Sequence, residues 1–271
     1  MKKLLTRSIS GLVYIAIIIL SILWGHIGVA LLSVLLGVLA TVEFDKICRG
    51  LDKTSLPVVL MDCAATISMV LAFNYEYPFI TLLLWGIVMI CRMVLELYIR
   101  EENPLKSLAF SLMSQMYIAL PLSLLCALST LTVPTILLAI FFFIWINDTG
   151  AFVVGSLIGR HRLFERISPK KSWEGFFGGL VFNLIAAVIF HYTCENFFQL
   201  RASLATWLGL AVVVTVFATW GDLIESLIKR NLHIKDSGNL IPGHGGILDR
   251  IDSLLLVLPA VGVYFCLNYF I

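Results

Sequence analysis

Apolar residues run in long stretches along this chain, separated by short polar clusters. Crossing a hydrocarbon core of roughly 30 Å takes about 20 apolar residues in helix. That length picks out about nine stretches, near residues 9–24, 26–44, 57–74, 78–97, 107–130, 133–158, 174–192, 204–228 and 247–270. Lipid cannot satisfy exposed backbone N–H and C=O groups, so each stretch is expected to be helical. The first two lie close enough to form a hairpin. No repeat of 20–50 residues and no low-complexity tract is visible. The pattern predicts an all-α, polytopic integral membrane protein with about nine transmembrane helices. It divides into N-terminal transmembrane helices over 1–130 and C-terminal transmembrane helices over 131–271, the latter with loops at 159–174 and 229–246.

Composition sharpens this picture. Of 271 residues, 60% are apolar and 13% charged, whereas a soluble domain carries about 25% charged residues. Mean hydropathy is +0.98. Disorder is excluded because there is ample surface to bury, and so is an ordinary soluble enzyme, whose exterior these charges would cover thinly. The net charge of +2 comes without a long basic run, so no nucleic-acid partner is expected. The six cysteines form no C-x-x-C pair and read as small core hydrophobes. Lys2, Lys3 and Arg7 before an apolar run resemble a signal peptide. No clean small-residue cleavage site follows, so a retained first helix is expected.

Basic residues mark the cytoplasmic side of a membrane protein. With the N-terminus inside, every Lys and Arg falls on inside segments except Arg201, which lies outside, and Arg92, which lies within a stretch. The expected topology is a cytoplasmic N-terminus, an external C-terminus and an active site facing the cytoplasm of a cell (inner) membrane. Most inside connections, including the one carrying Lys46, Arg49 and Lys53, look like simple topology anchors. Two differ. Gly159–Glu174 (GRHRLFERISPKKSWE) is dense in cations, and Lys229–Gly246 (KRNLHIKDSGNLIPGHGG) mixes both charges with glycine and histidine.

Asp222, Glu225 and Lys229 follow at i, i+3 and i+7, on one helix face. They interrupt an apolar span, where charge is costly unless paired or hydrated. A plain interfacial helix end with Glu225 pairing Lys229 is the alternative. Asp249 and Asp252, at i and i+3, open the last apolar stretch. They could be simple caps favoured by the helix dipole, yet two acidic helix ends together suggest a cation. Hard ions such as Mg²⁺ take carboxylate, water and phosphate oxygens. Asp222 and Asp249 therefore read as a metal site, with Glu225 and Asp252 as further ligands or supports. Gly243, His244, Gly245 and Gly246 offer backbone that approaches a ligand closely near a helix start; His244 alone more often serves as an interfacial histidine. Lys170, Lys171, Lys229, Arg230, Lys235 and Arg250 beside such a site suggest a polyphosphate pocket. Asp148, in the sixth stretch, implies either a water-filled cleft or a polar contact between helices. Asp62 and Arg92, the other charges inside apolar stretches, can pair with each other.

The run Ser226–Asp252 resembles the signature of the phosphatidate cytidylyltransferase (CDP-diacylglycerol synthase) family. The matching positions are Ser226, Lys229-Arg230, Lys235-Asp236, Gly238, Pro242, His244-Gly245-Gly246, Asp249-Arg250 and Asp252. Asn147-Asp148-Thr149-Gly150 and Ser168-Pro169-Lys170-Lys171-Ser172-Trp173-Glu174-Gly175 also look like family blocks. The resemblance spans about residues 145–253. It implies CTP and phosphatidate as substrates, CDP-diacylglycerol and pyrophosphate as products, Mg²⁺ with a second monovalent cation such as K⁺, and a homodimer in membrane lipid. Carried onto this chain, Asp222 and Asp249 hold metal, with Asp252 and Glu225 beside them. The implied catalytic groups are Lys229, Arg230, Lys235, Asp236, His244, Arg250 and Asp148, and substrate binding falls to Lys170, Lys171, Ser226, Gly245 and Gly246. Rival readings are an ion-coupled transporter, a CDP-alcohol phosphatidyltransferase and an inactive scaffold. The first expects midplane acids and inverted repeats; the second expects a D-G-x-x-A-R pattern that is missing; the third leaves the acidic pairs unexplained.

Overall fold

The described part of each apolar stretch is mainly helical in the computed structural model, which describes residues 2–50, 55–72, 78–99, 103–198, 202–241, 243 and 245–269. His244, Pro242, Lys53, Arg100 and Arg201 lie outside the described residues. Among the described residues, six helices are long and apolar enough to cross a membrane: His26–Arg49, Pro104–Leu131, Thr135–Ile158, Trp173–Thr193, Leu204–Asn231 and Leu248–Asn268. Ser8–Leu23, Leu56–Leu71 and Phe79–Leu95 are shorter apolar helices. The chain forms two compact units, Met1–Leu131 with Ile234–Arg250, and Thr132–His233 with Ile251–Ile271.

The first unit holds α1 (Lys2–Leu23), α2 (His26–Arg49), α3 (Leu56–Leu71), α4 (Pro78–Leu95), α5 (Pro104–Ser114) and α6 (Leu120–Leu131). Gly25, at φ 91°, makes the tight reversal between α1 and α2, and Gly28 lets the two helices meet: a Cβ there would lie 2.1 Å from the Ser21 carbonyl oxygen. Asn103 caps α5 by accepting the Lys106 N–H at 3.0 Å, with Pro104 in the first turn, where its missing N–H costs nothing. Between α5 and α6 the helix widens into a π turn, Gln115–Ala119. Pro121 follows, and the wider turn accommodates its ring and missing N–H.

Arg49 belongs to the interior rather than to a surface anchor. Its side chain is 4% exposed and bonds the Asp45 carboxylate one turn back. It also reaches Asp62 at 3.1 Å and the Ser111 hydroxyl at 2.8 Å. Arg92, fully buried, lies 3.6 Å from Asp62 and 2.5 Å from Glu96, so the expected Asp62–Arg92 pairing is present. Two guanidiniums thus tie α2, α3, α4 and α5 together, because a charge removed from water stays only where partners replace its hydration.

The second unit holds α7 (Thr135–Ile158), a β-hairpin of β1 (Arg162–Phe164) and β2 (Ser168–Ser172), α8 (Trp173–Thr193), the short α9 (Glu195–Phe198), α10 (Leu204–Asn231) and α11 (Leu248–Tyr269) from Ile251 onward. The cation-rich stretch 159–174 is therefore an antiparallel ribbon with Arg162 opposite Ser172, an element that its charge density concealed. α7 and α8 pack along a seam of small residues. A Cβ at Gly178 would meet Val154 at 2.4 Å, and one at Gly179 would meet the Asn147 Oδ1 at 2.4 Å. Such residues let helix backbones approach closely in lipid. Asn183 donates to Thr215 at 2.9 Å, joining α8 to α10. Phe143, Phe190, Phe198 and Trp207 form an aromatic cluster, with Phe190 and Phe198 centroids 4.9 Å apart. Of the cysteines, Cys63 and Cys126 are buried, while Cys91 and Cys266 are exposed.

Candidate active site

In the second unit, Asp222 and Glu225 stand one turn apart on α10, and Asp252 stands in the first turns of α11. What brings the two helices together is Gly221. A Cβ there would lie 2.6 Å from the Asp252 carbonyl oxygen and 2.8 Å from Ser253 Cα. Without a side chain at 221 the backbones touch, and one carboxylate oxygen from each of Asp222, Glu225 and Asp252 comes within 4.8 Å of the others.

These carboxylates are held by named neighbours. Ser226 donates to Asp222 Oδ1 at 3.2 Å, and the Ser253 N–H donates to Asp252 Oδ1 at 2.6 Å. Lys229 Nζ lies 2.5 Å from Glu225, itself 1% exposed. Lys171 Nζ lies 2.6 Å from Asp222 and donates to the Thr219 carbonyl at 3.3 Å. Two lysines thus pair with two of the three acids. Oxygens across Mg²⁺ sit about 4.2 Å apart and those across Ca²⁺ about 5 Å, so this spacing suits a divalent ion.

A cavity of about 610 Å³ opens beside the acids, lined among others by Asn147, Asp148, Arg162, Lys170, Lys171 and Asp222. Its volume suits a small-molecule ligand. Its lining combines cationic side chains with the apolar Ala151, Phe152 and Phe176. The hairpin delivers Lys170 and Lys171, and its neck is fastened at both ends. Ser172 accepts the Gly175 N–H at 3.1 Å and so caps α8. Glu174 accepts the N–H groups of Arg160 at 3.1 Å and His161 at 3.2 Å, and lies 2.6 Å from His161 Nδ1. Arg230, exposed, reaches the Ile167 carbonyl at 3.4 Å and props the hairpin.

In the first unit, the glycine-rich loop runs into α11. Asp249 accepts N–H bonds from Ser237 at 3.1 Å and Gly246 at 2.9 Å. Gly245, at φ 84°, leaves room for it, since a Cβ there would lie 2.5 Å from Asp249 Oδ2. Ile241 and Gly245 pair across the loop at 3.0 Å. Lys235, Asp236 and Arg250 are exposed, and the Arg250 carbonyl accepts the Tyr14 hydroxyl at 3.2 Å. The N–H groups of Gly246, Ile247 and Leu248, which the sequence suggested for a ligand, donate to protein carboxylates. The acceptor for the last two is Glu43 of α2, a residue that sequence reasoning missed. Gly221 was also missed, with the Gly221-Asp222 adjacency the available signal; Asn147 was named within a family block but given no role.

A sequence model described as the cytidylyltransferase family matches residues 5–270. A Staphylococcus epidermidis protein named phosphatidate cytidylyltransferase is 31% identical over 259 residues, 95% of this chain and 97% of the relative. Proteins of the same name from Staphylococcus haemolyticus and Staphylococcus aureus are 41% and 42% identical. Their matches cover 57% and 45% of this chain, and 58% and 46% of those relatives.

Proposed function

The chain belongs to the cytidylyltransferase family, and on that premise we propose that it converts CTP and phosphatidate to CDP-diacylglycerol and pyrophosphate within phospholipid biosynthesis. A phosphate oxygen of phosphatidate attacks the α-phosphorus of CTP. The bond from that phosphorus to the bridging oxygen breaks, and pyrophosphate leaves with the electron pair. The nucleophile is already an anion, so the task is to bring two anions together and neutralise the departing charge.

The observation that carries this reading is the convergence of Asp222, Glu225 and Asp252 beside a cavity lined by Lys170 and Lys171. Asp222, Glu225 and Asp252 would hold Mg²⁺, which supplies charge neutralisation on the reacting phosphates. Lys170, Lys171 and Arg162 bind and orient phosphate oxygens, as point charges and fork donors respectively. Ser226 and Lys229 orient the acids. Ala151, Phe152 and Phe176 of the lining accept the start of the acyl chains, which stay in lipid. Roles for Lys235, Asp236, His244, Asp249 and Arg250, and for Asp148, follow from the family resemblance.

About nine spans, a cytoplasmic N-terminus, an external C-terminus and a cytoplasm-facing site in the inner membrane are supported by the distribution of Lys and Arg. Helices 1–130 form the scaffold of this arrangement and 131–271 the catalytic part. A homodimer and a K⁺ ion beside the Mg²⁺ rest on the resemblance.

The test is purified protein in proteoliposomes with labelled CTP, phosphatidate and Mg²⁺. Label entering lipid with release of pyrophosphate is the expected result, and label remaining in CTP overturns the reading. Proton or sodium uptake by the same vesicles would favour the transporter instead.

A further inference from the structure

Glu43 lies in the last third of α2, 8% exposed, in a helix that composition marks as an ordinary apolar span. Its carboxylate is committed on both oxygens. Oε1 accepts the Ile247 N–H at 2.9 Å. Oε2 accepts the Leu248 N–H at 2.9 Å and the Ser237 hydroxyl at 3.2 Å. A helix start leaves its first N–H groups without intrahelical acceptors, and here the acceptor comes from a helix about 200 residues away in sequence. The loop is cut to admit it. A Cβ at Gly246 would lie 2.4 Å from Glu43 Oε2, and one at Gly238 would lie 2.7 Å from Oε1.

Glu43 and Asp249 interleave on the same donors. Ser237 gives its N–H to Asp249 and its hydroxyl to Glu43, while three successive N–H groups go to Asp249, Glu43 and Glu43. The Ile247 carbonyl in turn accepts the Arg250 N–H at 2.9 Å. Removing Glu43 leaves two donors at the positive end of α11 without an acceptor. Asp249, bonded to the preceding N–H, is the carboxylate that would be drawn toward them.

We propose that Glu43 is a positioning residue for the reaction: delivered from α2, it fixes the glycine-rich loop and the first turn of α11 and thereby sets where Asp249 and Arg250 stand. The kinetic part rests on the cytidylyltransferase reading; the structural part does not.

The test uses the full chain in nanodiscs. In Glu43→Gln one acceptor becomes an NH₂ donor facing an N–H. Amide hydrogen exchange over 246–250 is expected to speed up about tenfold or more, the rest of the protein staying unchanged. With CTP varied, kcat should fall by a similar factor of about ten while KM moves less than about threefold, and Glu43→Asp should recover part of the loss. If Glu43→Gln does not fold, Gly238→Ala, which pushes a methyl at the same carboxylate, should give the same exchange signature. Unchanged exchange overturns the proposal, and so does faster exchange with wild-type kcat. Absent turnover in the wild type with the exchange effect intact would sink the cytidylyltransferase reading and leave the structural part standing.

Discussion

Lys171 of β2 places its ammonium 2.6 Å from the Asp222 carboxylate of α10, so the hairpin that lines the cavity is tied to the acidic cluster by one ion pair. The bond links the two features that the proposed reaction would use, the cationic residues of the cavity wall and the acids beside them. Lys171→Met keeps the apolar stem and removes the charge. It should lower kcat/KM for CTP by about 10- to 100-fold, the range for loss of one charge-assisted bond. Steady-state kinetics with CTP varied check this; unchanged kinetics would return the hairpin cations to a topology role.

Asp222→Asn and Asp252→Asn each keep the shape of the cluster and remove one negative charge. Turnover should fall by about 10³-fold or more, and residual activity should need more Mg²⁺. Thermal unfolding in detergent should stay near wild type, since an amide oxygen can still accept from Lys171 at position 222 and from the Ser253 N–H at position 252. Retained turnover at ordinary Mg²⁺ would remove the mutated acid from metal binding.

Gly221→Val drives a branched side chain into the backbone of α11, where even a Cβ would lie 2.6 Å from a carbonyl oxygen. Overpacking of this kind costs about 1–3 kcal/mol. It should also cost most of the activity, because it separates Asp222 from Asp252. Gly86→Ala is the matched control: nothing lies within 4 Å of a Cβ there. The pair is compared by thermal unfolding and by turnover.

Arg92→Ala would leave Glu96 and Asp62 short of a buried partner, and breaking such a pair costs about 3–5 kcal/mol. The folded yield and unfolding temperature should both drop sharply. Arg92→Leu combined with Glu96→Leu should recover part of the loss, since it leaves no orphaned charge from that pair. Equal stability of the single and double variants would show that the network has little grip on the fold.

The helices were legible because each element must bury or expose some 20 apolar residues whatever its neighbours do. Local pairs were legible too: Glu225 with Lys229 follows from helical spacing, and Asp62 with Arg92 from the cost of lone charge in an apolar stretch. Arg49 was misjudged because a cation at a helix end looks the same whether it anchors topology or enters a buried network. Its partners Asp62 and Ser111 come from helices that spacing cannot bring together. The hairpin was hidden by its composition: Arg162–Ser172 shows charge rather than alternation, and the bonds to Glu174 that close its neck are invisible in sequence. Glu43 was missed for the same reason as Arg49, since its donors lie about 200 positions downstream. The acidic motif could be read, whereas the glycine at 221 that gathers it only acquires meaning beside α11.

The seam between α7 and α8 is made by glycines: Gly155 and Gly175 let main chain lie against main chain, and Gly150, Gly178 and Gly179 leave room for Phe182, Val154 and Asn147. Cohesion of that kind rests on close van der Waals contact rather than on expelling water. This helix pair should therefore keep its spacing on extraction from the membrane.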